Sequence, residues 1–346
     1  MDRIRNPFVP GAGSRPPELA GRTGVLEDID ILLQRMLIGR ATQSVILTGL
    51  RGVGKTVLLN EAERLAETHR YHASFVEARE GKRLPNLLVP TLRRTLHKLS
   101  LAEAAKEQSR RALRVFKSFV GAANLTFAGV ELSFDPEPGA ADSGDLEQDL
   151  PDLFVAIGEA AKASDVGVCV LIDELQYLSE AEFSALIMSV HRTTQKQLPV
   201  VLIGAGLPQI LGLAGNSKSY AERLFRYPMV GALSPNDVEA ALRGPARSEG
   251  ADFSDDALSE VIRVTRGYPY FLQQWAYESW IVGAGPVLAK EDIVEATPIA
   301  LQALDESFFK VRLDRCTPAE KRYMRALAEL GEGTHRSGEV ARVLQQ

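Results

Sequence analysis

The apolar positions change their period several times along the chain, and each change marks an element. Over 24–38, Val25, Ile29, Leu32, Leu33 and Met36 recur at helical spacing, and a short β run follows at 44–48. A glycine-rich loop, a helical pattern over 55–68 and a strand at 73–77 come next, a β-α-β alternation that predicts a parallel sheet. Further apolar strands lie at 166–172 and 198–203, each ahead of a helical pattern. The expected class is therefore α/β, a parallel sheet with helices on both faces. After Pro235 the pattern is helical only, over 237–242, 255–264, 270–282 and 290–308, which predicts a separate all-α lid.

Other stretches interrupt this plan. Residues 1–17 carry Pro7, Pro10, Pro16 and Pro17 with Gly11 and Gly13, a composition expected to give a disordered lead-in. Order begins at 18, and the sheet domain is expected to run over 18–232 with an insertion at about 100–150. That insertion opens with an amphipathic, basic helix over 101–120 (Lys106, Arg110, Arg111, Arg114, Lys117). It alternates like a hairpin over 124–134 and ends in an acidic stretch at 135–149. A basic helix is either a solvated face or a contact for a partner. The lid is expected over 233–308.

The tail, 309–346, holds a Thr-Pro-Ala-Glu helix start at 317–320, a turn at 331–333 and a second helix opening near Ser337. Over 310–346 there are eight Lys and Arg against five Asp and Glu. This excess of positive charge beside a two-helix pattern fits phosphate contacts on DNA. The tail resembles the start of a winged helix, expected to be incomplete because the sequence reaches Gln346 before a wing could follow the two helices, and a plain helical tail fits the same pattern equally well.

Composition adds limits rather than chemistry. At 346 residues and 45% hydrophobic, the chain can bury a sizeable core, and its formal net charge of -5 argues against a surface given over to nucleic acid. There is no apolar run of membrane-spanning length and no apolar leader, so a cytoplasmic protein without membrane contact is expected. Cys169 and Cys316 are far apart and read as free thiols. The histidines are scattered; His69 and His72 lack a third ligand, so no metal beyond Mg²⁺ is assigned.

The chemistry is concentrated in two motifs. Gly49-Leu50-Arg51-Gly52-Val53-Gly54-Lys55-Thr56 has Walker A spacing between a strand and a helix, the context that the motif requires. Glycines let backbone N–H groups curl around phosphate oxygens, and the helix N-terminus adds partial positive charge. Lys55 is expected to reach the β and γ phosphates and Thr56 to ligate Mg²⁺. The run Val168 to Ile172 ends in Asp173-Glu174, a Walker B pattern. Asp173 would help to hold Mg²⁺, and Glu174 would orient and deprotonate the attacking water.

With those motifs in place, the chain resembles the AAA+/STAND branch of P-loop ATPases, in particular bacterial Orc/Cdc-like (origin-recognition-like) AAA ATPases. The resemblance implies that Gly21-Arg22, ahead of the first helix, packs near adenine, and that Gly267-Tyr268-Pro269 is a lid motif with Pro269 against the base. It also implies an arginine finger in the segment 219–226. Arg223 is the candidate, with Arg226 behind it, although an arginine there fits a surface ion pair equally well. A finger would imply contact between subunits or between domains, and the first of these implies a homo-oligomer. One departure is clear: after the strand at 198–203 the sequence Gly204 to Gln209 offers no polar sensor residue, and the lid lacks a second-sensor arginine.

The reading that follows is an ATP-binding, Mg-dependent ATPase acting as a conformational switch, with DNA or protein as its partner through the insertion and tail. The rival is a nucleotide-binding signalling or scaffold protein with little hydrolysis, suggested by the missing sensors. A small-molecule kinase would share the phosphate loop, but the separate lid and the Asp-Glu pair weigh against it.

Overall fold

The computed structural model describes residues 1–11, 13–102, 105–124, 135–217 and 221–345. The sheet domain runs α1 (Thr23–Leu37), β1 (Ser44–Thr48), α2 (Lys55–Thr68), β2 (Tyr71–Glu77), α3 (Leu84–Ser100), α4 (Lys106–Ala122) and α5 (Leu146–Ala163). It continues through β3 (Gly167–Asp173), α6 (Glu180–Gln195), β4 (Val200–Gly206), α7 (Ile210–Ser217), α8 (Ala221–Leu224) and β5 (Phe225–Arg226). The strand order is β2-β3-β4-β1-β5, with every pair parallel.

The uninterrupted apolar character of β1, β3 and β4 has a simple cause: every residue of these strands is buried, because helices cover both faces. Successive side chains point to opposite faces. Val45, Leu47, Leu171 and Ile203 join α1 and α2 on one side; Ile46, Val170, Ile172 and Leu202 join α3 to α6 on the other. The chain leaves β1 for β2 at the far edge, returns through β3 and β4, and then passes β1 to reach β5. Such a switch in strand order leaves a crevice at the carboxyl ends of the strands, where Thr48, Asp173 and Gly206 stand.

One expectation is extended here and one is corrected. The stretch expected as an insertion at about 100–150 packs into the sheet domain: Ala112, Val115, Phe116 and Phe119 of α4 lie in the same core as α3 and α5. Part of its basic face is neutralised within the fold, Arg111 by Glu159 at 2.7 Å and Arg114 by Glu137 at 2.6 Å. Most of the expected hairpin, 125–134, lies outside the described residues. The correction concerns the start of the chain. Residues 1–11 do not form a lead-in without contacts but lie along the helical domain, with Phe8 fully buried edge-on to Phe253 and Trp280. The N-terminal ammonium donates to Gly283 O at 2.7 Å, Trp280 Nε1 donates to Asp2 O, and Asn6 donates to Tyr277 O. Proline and glycine ruled out regular elements, as expected, but the isolated Phe8 supplies an anchor that composition obscures.

The helical domain comprises α9 (Pro235–Ser248), α10 (Asp255–Thr265), α11 (Pro269–Val282) and α12 (Lys290–Leu304), with two-residue strands β6 (Asp252–Phe253) and β7 (Val287–Leu288) paired in parallel. Ser234 and Ser254 cap α9 and α10, and Pro269 occupies the first turn of α11, where its missing N–H costs nothing. Val238, Leu242, Val261, Leu272, Trp275 and Trp280 form its core with Phe8. A π-helical turn at Asp305–Phe309 leads into α13 (Lys310–Arg315). The tail then forms α14 (Pro318–Leu330), opened by a Thr317/Glu320 capping box, and α15 (Ser337–Leu344); their buried residues are Ala326 and Val340. No helix among the described residues is long and apolar enough to cross a membrane.

Because Phe8 is an integral core residue, Phe8→Ala is expected to destabilise the protein by about 3 kcal/mol, the scale for emptying a buried aromatic site. Urea unfolding followed by the fluorescence of Trp275 and Trp280 together measures this; an unchanged midpoint would show that the N-terminal segment is not part of the core.

Candidate functional site

A cavity of about 380 Å³ lies between the carboxyl edge of the sheet and the helical domain. Four parts of the chain line it: the N-terminal segment, the loop 49–56 with the start of α2, the end of β3, and the helical domain as far as Arg312. Its volume is within the usual range for small-molecule sites, about 300–1,000 Å³.

The loop between β1 and α2 is held by close contacts of its backbone. Gly49 sits so close to the strand-following segment that a Cβ would fall 2.2 Å from Val230 O. Gly52 and Gly54 have φ of 84° and 96°, the left-handed region open to glycine. A Cβ on Gly52 would press on Tyr268 and Tyr270, each at 3.1 Å. That closeness arises because the helical domain holds the loop backbone: Tyr270 N donates to Gly52 O at 3.2 Å, and the Tyr268 hydroxyl donates to Arg51 O.

Lys55 is 7% exposed and donates from Nζ to Gly49 O at 2.9 Å and Leu50 O at 2.8 Å. Burial lowers its pKa, while Glu174 and Asp173 act in the opposite sense. Thr56 Oγ1 donates to Asp173 Oδ2 at 2.6 Å, and Asp173 Oδ1 accepts from Glu174 N at 2.8 Å. Asp173 is 4% exposed, and desolvation raises its pKa despite those two hydrogen bonds. The chain turns sharply after it: Glu174 has φ 55°, a costly conformation for a non-glycine residue that is concentrated at functional sites.

The structure brings together most of the residues singled out from the sequence. Arg22, Arg51, Gly52, Val53, Gly54, Lys55, Thr56, Asp173, Glu174 and Pro269 all line the cavity. Gly49 and Leu50 complete the loop through the carbonyls that receive Lys55. Arg22 is also a latch, donating to Gly231 O at 2.6 Å and Val53 O at 3.3 Å, with its pKa lowered by burial. Gly21 lets the backbone pass α9; a Cβ there would lie 2.7 Å from Asp237 Oδ2. Arg223 stands apart. It is exposed on α8, does not line the cavity, and makes a contact through its backbone, which accepts from Gln43. Arg226 is engaged with Asp28 at 2.7 Å.

Sequence reasoning missed three groups. Gln176 donates to Glu174 Oε2 and accepts from Leu207 N at 3.1 Å, so a polar link to the end of β4 comes from the Asp-Glu turn rather than from the strand that was searched for it. Gly204, where a polar side chain was sought, is instead overlaid by Leu175, whose Cδ1 would meet a Cβ at 2.3 Å. Arg312 enters the cavity from α13, and the N-terminal segment supplies Val9, Gly11 and Ser14 to its wall. Only the position of Gln176 beside the acidic pair could have signalled it; the other two depend on tertiary packing.

These residues suit a magnesium–nucleotide. The donor set is a hydroxyl and a carboxylate in contact, of the oxygen type that Mg²⁺ prefers, beside a buried ammonium held only by carbonyls. Among the described residues no cluster of three or more His, Cys, Asp or Glu could hold a metal by itself, so a cation at Thr56 and Asp173 would share its ligation with substrate oxygens and water.

The family model described as AAA ATPase domain (AAA_16) matches residues 18–203, and that for a domain of unknown function, DUF8462, matches residues 306–346. No curated protein matches the sequence. Among solved structures, the chain is similar to Cdc6p from Pyrobaculum aerophilum, with 16% identity, a TM-score of 0.53 and coverage of 100% of this chain and 83% of that one. It is also similar to the Walker-type ATPase PABY2304 of Pyrococcus abyssi, with 17% identity, a TM-score of 0.54 and coverage of 98% and 91%. At such identities the likeness speaks for the fold, an α/β sheet domain followed by helices.

The raised pKa of Asp173 has a consequence for stability. Folding favours its protonated form, so that contribution is present below the unfolded value of about 3.9 and is lost as pH rises through the folded value. Asp173→Asn is expected to raise the thermal midpoint of the nucleotide-free protein at about pH 8, with the gain vanishing near pH 3. A lower midpoint at the higher pH would contradict the desolvation account.

Proposed function

We propose that this chain, which belongs to the AAA ATPase domain family, binds ATP with Mg²⁺ in the cavity between sheet and helices and hydrolyses it to switch the relation between the two. The observation that supports this most directly is the contact of Thr56 with Asp173 beside the buried Lys55, framed by a glycine loop whose backbone the helical domain holds.

In this reading Lys55 exchanges Gly49 O and Leu50 O for the β and γ phosphate oxygens of ATP, and the backbone N–H groups of 52–56 surround the phosphates. Thr56 and Asp173 would hold Mg²⁺, which supplies neutralisation of charge on the phosphate oxygens. Glu174 accepts the proton of the attacking water. Gln176 restrains Glu174 and ties it to Leu207, so it acts as a positioning residue between the base and the end of β4. Arg22 and Pro269 shape the end of the cavity that would receive the base. Arg223, exposed and outside this cavity, would act as a finger on a neighbouring subunit, which is the reading that calls for a homo-oligomer.

A second reading concerns DNA. Lys321 and Arg322 are exposed on α14, on the two-helix tail with its excess of basic residues. Together with the helix-turn-helix arrangement, this supports phosphate contacts through α14 and α15.

Steady-state ATP hydrolysis tests both. Lys55→Ala is expected to weaken ATP binding by about 100-fold, the loss of charge-assisted contacts to phosphate. Glu174→Gln should leave binding in place and lower kcat by about 100-fold or more. Gln176→Ala should change kcat while ATP affinity stays within about twofold. If wild type binds ATP but shows no turnover that depends on Glu174, a nucleotide-retaining signalling protein replaces the ATPase. Acceleration by double-stranded DNA that fades with salt supports the DNA reading; its absence removes DNA from the account.

A further inference from the structure

The segment after the helical domain does more than follow it. At the π-helical turn Asp305–Phe309 the chain of α12 is re-aimed, and Phe308 and Arg312, four residues apart, come to line the nucleotide cavity. Such turns inside helices recur at functional sites because they displace one helix face relative to the next. Arg312 lies over the ring of Phe308, 3.3 Å from its centroid, and donates to Phe308 O at 2.6 Å. Phe308 stacks on Tyr270 at 4.9 Å, and Tyr270 N is the donor that holds Gly52 O of the phosphate loop. A continuous path of contacts therefore runs from the phosphate loop through Tyr270 and Phe308 to Arg312.

The charges point the same way. Arg312 forms no ion pair with a carboxylate among the described residues; its electrostatic neighbours are Arg51, Arg315, Tyr268 and Tyr270. Burial lowers its pKa, and the nearby Arg51 adds to that. A guanidinium that faces another cation from a partly dry position is poorly compensated, and an anion between them removes the penalty. Of the cavity's carboxylates, Asp173 and Glu174 already lie within the Coulombic reach of Lys55 and are assigned to the metal and the water.

Resting on the nucleotide reading above, we propose that Arg312 is the residue of this chain that recognises the terminal phosphate of a nucleoside triphosphate, and that through it the tail 310–346 registers whether ATP or ADP is bound. Arg312 supplies from within the same chain the cation that neither the strand end at 204–209 nor the lid helix carries. Its movement from the Phe308 ring to a phosphate oxygen shifts α13. That shift is reported by Cys316, whose thiol donates to Arg312 O at 3.3 Å. Cys316 is part-exposed, whereas Cys169 is wholly buried and its thiol pKa is pushed up by desolvation. A thiol reagent therefore reads the tail selectively.

The test measures fluorescent ATP and ADP analogue affinities for the full chain and the rate of Cys316 modification by an aromatic disulfide, in wild type, Arg312→Gln and Phe308→Leu. In wild type, ATP is expected to bind about tenfold or more tightly than ADP, and ATP alone should change the Cys316 rate, by about threefold or more. Arg312→Gln should abolish the preference with ADP affinity unchanged and leave Cys316 indifferent to ATP. Phe308→Leu, which keeps the cation, should retain the preference but weaken the link to Cys316, and it serves if Arg312→Gln fails to fold. An ATP preference that survives in Arg312→Gln, or a wild-type Cys316 rate that ignores nucleotide, overturns the proposal. Failure of wild type to bind either nucleotide instead removes the nucleotide reading on which it rests.

Discussion

The docking of the phosphate loop's backbone against the helical domain is the constraint on which the site depends. A loop rich in glycine is entropically costly to hold, and here two of its carbonyls, Arg51 O and Gly52 O, are taken up by the Tyr268 hydroxyl and Tyr270 N. Gly52, at φ 84°, suits this close approach: a Cβ there would press on Tyr268 and Tyr270 at 3.1 Å. The same contact fixes the start of α11 over the carboxyl edge of the sheet and so defines the roof of the cavity. Sheet and helices therefore meet at this loop, through the hydrogen bonds of Tyr268 and Tyr270.

A second theme is the incomplete compensation of charge in the cavity. Lys55, Asp173, Arg22 and Arg312 are each buried enough for desolvation to shift them toward their neutral forms. Buried charges without full partners are held at a cost, which a ligand of complementary charge relieves. Lys55 leans on backbone carbonyls, Asp173 on a hydroxyl, and Arg312 on an aromatic ring. Each of these partners leaves the charge less than fully compensated. Glu174 is held at φ 55° and hydrogen-bonded by Gln176 beside them.

How much of this could be read from the sequence depended on whether the signal was local. The strands β1, β3 and β4 announced themselves as apolar runs because they are buried on both faces, and α2 matched its expected span because the loop and the strand bracket it. The phosphate loop and the acidic pair were legible for the same reason: neighbouring residues hold the chemistry. The stretch at 100–150 shows its charges in the sequence but not the burial of Val115, Phe116 and Phe119 that ties it into the core. The N-terminal segment misled because proline and glycine report on elements, not on docking. Arg312 lies 257 positions beyond Lys55, reached through a turn that no periodicity marks, and the polar group sought after β4 is supplied by Gln176 from a different strand's end.

The central claim is that one ligand is enclosed by all four segments that line the cavity. Hydrogen–deuterium exchange with and without Mg-ATP tests it directly, read on the full chain. The account predicts slower exchange together in the loop 49–56, the N-terminal segment 9–18, the start of α11 at 269–273 and the turn 305–313. Protection confined to the loop, with the helical segments unchanged, would contradict it, because the nucleotide would then sit on the sheet alone and the coupling to the lid and tail would have no physical basis.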